Sequence, residues 1–174
     1  MNHEYLAPWS RSVKLVTLSS TVVLALAPVL GSNFGPHQFL AWRIFMLLIP
    51  LLALPLGILF MVRGYRVTPR SIEIERFGWS TQLSVSGLKV VTADPLALTG
   101  SIRRWGNGGF FAITGQYSNG RYGRFRAWAT DPARAVVLRY ADHIVLLTPD
   151  EPQRFVQQVL QVAGLGLAIA TASD

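Results

Sequence analysis

The sequence predicts a membrane-anchored α+β chain, in which an N-terminal two-helix hairpin precedes an antiparallel β-barrel or sandwich of about seven strands capped by one C-terminal helix. Three observations carry this reading. Residues Ile44 to Val62 run 19 positions without a charged side chain, enough for a helix to cross a hydrocarbon core of about 30 Å. From Arg63 onward the pattern changes to short alternating apolar runs separated by turn residues, the mark of half-buried strands. Near the end, apolar residues return at helical spacing.

Taken in order, residues 1–12 read as a cytoplasmic tail and 13–62 as a transmembrane hairpin with helices at about 13–30 and 40–62. Leu15 to Leu30 is apolar except for Thr17, Ser19, Ser20 and Thr21, whose hydroxyls can bond back to the helix. Val13 and the stem of Lys14 extend this marginal length, because lysine near a helix end reaches toward the headgroups. The charge-free run Gly31 to Gln38 is a turn. Arg11 and Lys14 precede the first crossing, and Arg63, Arg66 and Arg70 follow the second, so both termini are expected on the cytoplasmic side. Arg43 reads as an arginine snorkelling at the outer interface beside Trp42. Arg11, Lys14 and Ala25-Leu26-Ala27 imitate a secretory signal. Pro28 directly after the cleavage point, and the second apolar stretch beyond it, argue for an anchor instead.

Residues 63–163 form one domain and 164–174 a tail. Ile72 and Ile74 alternate with Glu73 and Glu75, and Val85, Leu88, Val90 and Val91 form a further apolar run. Phe111, Ile113 and Gly115 alternate with polar neighbours, and Phe125 and Ala127 face a core while Arg124, Arg126 and Trp128 face out. Val136 to Tyr140 and Ile144 to Leu147 add two strands. Thr68-Pro69-Arg70-Ser71, Phe77-Gly78-Trp79-Ser80 and Ser118-Asn119-Gly120 supply the turns. Phe155, Val156, Val159, Leu160 and Ala163 make the apolar stripe of the last helix, with Thr148 as its cap, Pro149 at its first position and Glu151 closing a capping box.

This order of elements resembles the pleckstrin-homology (PH) fold, in which a helix plugs one end of a bent barrel. The local wording resembles bacterial PH domains. It runs through Tyr65-Arg66-Val67-Thr68, Arg104-Trp105-Gly106-Asn107-Gly108-Gly109-Phe110-Phe111 and Gly115-Gln116-Tyr117. Gly123 to Asp131 and Thr148 to Phe155 complete it, so that it spans nearly all of 65 to 162. The resemblance implies a bacterial inner (cytoplasmic) membrane protein, multi-pass, with a binding or scaffolding module and no catalytic residues to carry over.

Chemistry-bearing constellations are sparse. The chain has no cysteine, and His3, His37 and His143 are scattered, so no metal site and no cofactor are expected. Asp142-His143 reads as a turn, and Glu73 and Glu75 as solvated partners of arginines on neighbouring strands. Gly106-Asn107-Gly108-Gly109 lacks the residues of a phosphate loop. With Arg103 and Arg104, its N–H groups could still cradle an anion.

Charge is the remaining signal. Of the 16 basic residues 13 follow position 62, against 8 of the 9 acidic ones, leaving about +5 on the domain. Next to a bilayer this basic surface points to anionic lipid headgroups or to a protein partner, and no recognition motif supports nucleic acid. The expected contacts are Arg103, Arg104, Arg121, Arg124 and Arg126, with Trp105 and Trp128 beside them. The alternative is a structural or scaffolding subunit, possibly self-assembling, docking through a sheet edge or the Trp105-to-Phe111 loop with Trp105, Tyr122 and Trp128 as exposed anchors.

Overall fold

The structure, a computed structural model, describes residues 3–36 and 38–165. His37 and residues 166–174 of the expected tail lie outside the described residues. Helix α1 spans Arg11–Phe34 and α2 spans Leu40–Leu59, both long and apolar enough to cross a membrane. Ser10 caps α1, its Oγ accepting from Val13 N at 3.2 Å. The two helices meet at the far end of the hairpin, where Gly31 lies against Met46 and Trp42 Nε1 donates to Gly31 O. Helix α2 stops before the apolar run does. Val62, the last apolar residue, is wholly buried in the core of the following domain.

Among the described residues ten strands form two sheets, more than the seven or so expected. The smaller sheet is antiparallel, in the order β1 (His3–Leu6), β2 (Gly64–Val67), β3 (Ser71–Glu75), β4 (Ser80–Ser84). Its first strand comes from the segment read as an N-terminal tail: Tyr5 stands opposite Tyr65, and Leu6 opposite Gly64. The larger sheet contains β5 (Leu88–Ala93), β6 (Ile102–Gly108), β7 (Ile113–Asn119), β8 (Gly123–Ala129), β9 (Val136–Tyr140) and β10 (Ile144–Leu147). Their spatial order is β5-β9-β10-β8-β7-β6, and β8 with β10 is the parallel pair in an otherwise antiparallel sheet.

The main core lies between the sheets, where Tyr65, Ile72, Ile74, Leu138 and Leu147 meet Phe155, Val159 and Leu160 of helix α3 (Pro152–Ala163). A second cluster, including Ala97, Tyr117, Phe125, Ala127 and Leu146, covers the opposite face of the larger sheet. The end of strand β8, Ala127 to Ala129, is therefore buried on both sides. That overturns the expectation for Trp128, which is only 5% exposed and belongs to the main core rather than to the surface.

Helix α3 begins three residues later than Pro149, with Pro152 in its first turn and no side-chain cap at Glu151. Thr148 is not its cap. It is fully buried, and its Oγ1 accepts from Thr130 N at 2.8 Å while its N–H donates to Tyr65 Oη at 3.1 Å. Tyr65 Oη in turn donates to Trp128 O at 2.6 Å. This cluster joins β2 of one sheet to β8 and the end of β10 in the other. Its reach extends further, because Thr130 O accepts from Ser10 N at the start of α1.

Tyr65→Phe strands the Thr148 N–H and the Trp128 carbonyl, and is expected to cost about 1–3 kcal/mol, read as a lower thermal midpoint of the detergent-solubilised chain. Burial pushes the Tyr65 phenol from 10.0 up to about 12. The folded chain then keeps a proton that the unfolded chain releases, so this contribution is intact below pH 10 and is lost as pH rises toward 12. The alkaline decline of stability should be shallower in Tyr65→Phe.

Candidate ligand-binding site

Strands β6, β7 and β8 set out a basic face by register alone. Gln116 stands opposite Arg126, and Ser118 opposite Arg124. Residues two apart share a face of a strand, so Arg124, Arg126 and Trp128 line one side together. A register shift between Arg103 and Trp105 makes room for Arg104, whose Nε donates to Ser118 Oγ at 3.3 Å on that same side. These residues wall a groove of about 440 Å³ at the open mouth between the sheets, with Leu83 of β4 opposite and Trp128 at its floor. Arg126 lies over the Trp128 ring at 4.5 Å.

The arginines of the domain fall into two groups. Arg66 is held by Glu4, Glu73 and Glu75, which bears out the reading of those glutamates as partners of a neighbouring-strand arginine. Arg134 pairs with Asp131, and Arg154 with Glu151. By contrast, Arg104, Arg124 and Arg126 have no carboxylate within ion-pair distance among the described residues. The acid at the groove's rim, Asp142, is engaged by His143 Nδ1 at 2.7 Å, and that bond holds its carboxyl below the usual range. His143 stacks on Tyr140, whose hydroxyl donates to Ser84 O. Asp142 and His143 occupy the turn between β9 and β10.

The other expected contacts lie elsewhere. Arg103 stands opposite Tyr117 on the far face of the sheet and covers Gly108 beside a separate hollow. Arg121 is tied to Asp94 at 2.9 Å, and the Tyr122 hydroxyl donates to the same carboxylate, so neither is a free anchor. Trp105 is 78% exposed on edge strand β6. The glycine-run anion cradle does not form: Asn107 Oδ1 accepts from Gly109 N and Phe110 N, occupying the donors an anion would need. Among the described residues no group of three or more His, Cys, Asp or Glu side chains could hold a metal.

The tip of the β6–β7 hairpin has a partner inside the chain. Gly106 and Gly115 face each other with φ of +112° and +131°, and a Cβ on either would strike the opposite backbone. Past this close approach, Thr17 Oγ1 of α1 donates to Gly109 O at 3.2 Å and accepts from Phe111 N at 2.8 Å. Phe111 adopts φ +64°, uncommon for a bulky residue, and with Phe110 packs against Gly57 of α2 and edge-on to Trp9. Half of the loop expected to dock another protein is thus seated on the chain's own helices. At a neighbouring point Trp79 Nε1 donates to Leu59 O, and its ring meets Phe60. These helix contacts sit at one end of the strands. The β7–β8 turn bearing Arg121 is at the other, about 20 Å away at 3.3 Å per residue.

Residues 63–163 match the family described as Bacterial PH domain. Neither the curated proteins nor the solved structures give a match. Thr17→Val removes both bonds to the hairpin tip, and amide hydrogen exchange at residues 109–112 should accelerate about tenfold or more.

Proposed function

The chain belongs to the bacterial PH-domain family, and from that premise we propose that it is a non-enzymatic, membrane-anchored PH module that presents the Arg104–Arg124–Arg126 groove to an acidic protein partner at the cytoplasmic face of the inner membrane. The observation that carries this reading is the set of three arginines lacking carboxylate partners around one groove, whereas Arg66, Arg121, Arg134 and Arg154 are ion-paired. Carboxylate side chains of a partner complete them through charge-assisted, bidentate hydrogen bonds.

Two arguments support a membrane-held module. The apolar helices have the required length. Strand β1 before them pairs with β2 after them, which suits a hairpin that leaves and returns on one side, and flanking Arg11, Lys14, Arg63, Arg66 and Arg70 favour the cytoplasm for that side. A protein partner is favoured over lipid for the groove by its height. Arg126 and Arg124 lie about 10 to 16 Å along β8 from the end that meets the hairpin, beyond the Debye length of about 8 Å within which a charged bilayer attracts them.

The test is fluorescence anisotropy of the full chain in neutral-lipid nanodiscs with a labelled oligoglutamate peptide. Arg124→Gln and Arg126→Gln should each weaken binding about tenfold, while Arg134→Gln, whose side chain is already paired with Asp131, leaves it unchanged. Equal affinity of the wild type and the Arg124→Gln/Arg126→Gln double variant would remove the groove as the site.

One observation favours a second reading as a subunit of a larger assembly. Edge strand β6 carries Ile102, 71% exposed, beside Trp105, and such an edge is a template for another strand. Since the chain lacks cysteine, Trp105→Cys gives a unique cross-linking point in native membranes. Discrete larger species support this reading, and monomer alone rejects it.

A further inference from the structure

Where α2 ends, the β3–β4 turn closes on it. Arg76 N donates to Trp79 O at 3.0 Å across the turn, and Gly78 supplies the left-handed corner at φ +84°. The turn delivers Trp79 to the helix end, where its indole N–H satisfies Leu59 O and its ring packs on Phe60. An aromatic ring with its polar tip turned to a helix terminus is the arrangement found at the level of lipid headgroups. Arg76 lies 4.0 Å over that ring and donates through Nη1 to Thr81 Oγ1.

Between these groups and the first charged residue after α2 lies a hollow of about 440 Å³, walled by Arg63, Arg66, Glu75, Arg76, Trp79 and Ser80. Its charges do not cancel. Glu75 is engaged by Arg66 at 2.6 Å, whereas Arg63 and Arg76 have no carboxylate within ion-pair distance among the described residues. Arg76 is 8% exposed, yet no buried side-chain nitrogen of the described residues lacks a partner. Its donors beyond the bond to Thr81 therefore open on the hollow. Burial and the nearby Arg126 both lower its pKa, a sign of a cation short of an anion.

From this geometry we infer that Arg63 and Arg76, with Trp79 beside them, seat the phosphate of a phospholipid headgroup from the leaflet that adjoins the end of α2. The inference rests on the reading of the hairpin as membrane-spanning and is independent of the groove assigned to an acidic partner. Arginine suits the task because its planar fork meets phosphate oxygens two at a time. The acyl chains then run down beside Phe60 and the exposed apolar surface of α2, which carries Leu56 and Leu52. The arginines expected from the sequence to make ligand contacts lie on other parts of the domain, and these two are set apart by position: one is the first charged residue after the helix, and the other is brought to it by a tryptophan.

Native mass spectrometry of the full chain in detergent tests the site with phosphatidylglycerol and with diacylglycerol, which has the same tails and no phosphate. Phosphatidylglycerol should be retained in preference, and Arg63→Gln, at an exposed position, should cut retention about tenfold. Arg76→Gln should do the same where it folds, and Arg134→Gln, whose side chain pairs with Asp131 away from both sites, should not. Equal retention of the two lipids, or no change in Arg63→Gln, overturns the proposal. Inorganic phosphate at the concentration of the lipid should fail to displace it, and displacement would assign the site to soluble phosphate instead. Alkaline carbonate extraction of the same membranes separates the premise from the site: wild type and Arg63→Gln should both stay in the pellet, and release of the wild type rejects the membrane reading and the lipid site with it.

Discussion

The hydrogen bonds gathered on Tyr65 and Thr148 join the two sheets to each other and to the head of α1. Tyr65 belongs to the small sheet, Trp128 and Thr148 to the large one, and Thr130 hands the connection to Ser10 at the head of α1. Tyr65, Trp128, Thr130 and Thr148 are buried, so their bonds are made where an unmet donor or acceptor is costly. The apolar hairpin is thereby fixed to a rigid body rather than tethered by a linker. Thr17 and Trp79 add two more points of attachment on the same side, and three separated points determine an orientation.

A fixed orientation gives meaning to where the arginines are. Those with carboxylates at hand, such as Arg66 among three glutamates, serve the fold and contribute modestly at an exposed surface. Among those without, Arg63 and Arg76 lie at the end of the hairpin and Arg104, Arg124 and Arg126 part-way up the strands. Arg126 is close enough to bear on the charge of Arg76.

The architecture was legible in outline because its signals are long-range patterns: apolar length for the hairpin, alternation for the strands and helical spacing for Phe155, Val159 and Leu160. What escaped reading was set by tertiary context. Trp128 alternates with Phe125 and Ala127 and so looked outward, but the sheet is covered on both faces. Thr148 has the composition of a helix cap and is instead a buried joint between sheets, because Pro152 rather than Pro149 opens the helix. Strand β1 is four residues long and has no period to display until its partner is beside it. Of the expected contacts, Arg104, Arg124 and Arg126 converge, Trp128 lies beneath them, Arg121 is committed to Asp94, and Arg103 faces the other way. Arg63, Arg76 and Trp79 carried no signal beyond their charge and ring, since only the β3–β4 turn brings them to one place.

The pairing of His3–Leu6 with Gly64–Val67 also has a bearing on the order of events during synthesis. The first strand of the small sheet is made before either helix, and its neighbour only after both. With the hairpin laid across a bilayer, the sheet can close only if both helices have crossed and the chain has come back to the compartment it left. A chain that inserted one helix and not the other would leave β1 on the wrong side and β2 with a bare edge, open to wrong partners. Closure of this short ladder thus requires the two ends of the hairpin to lie on one side.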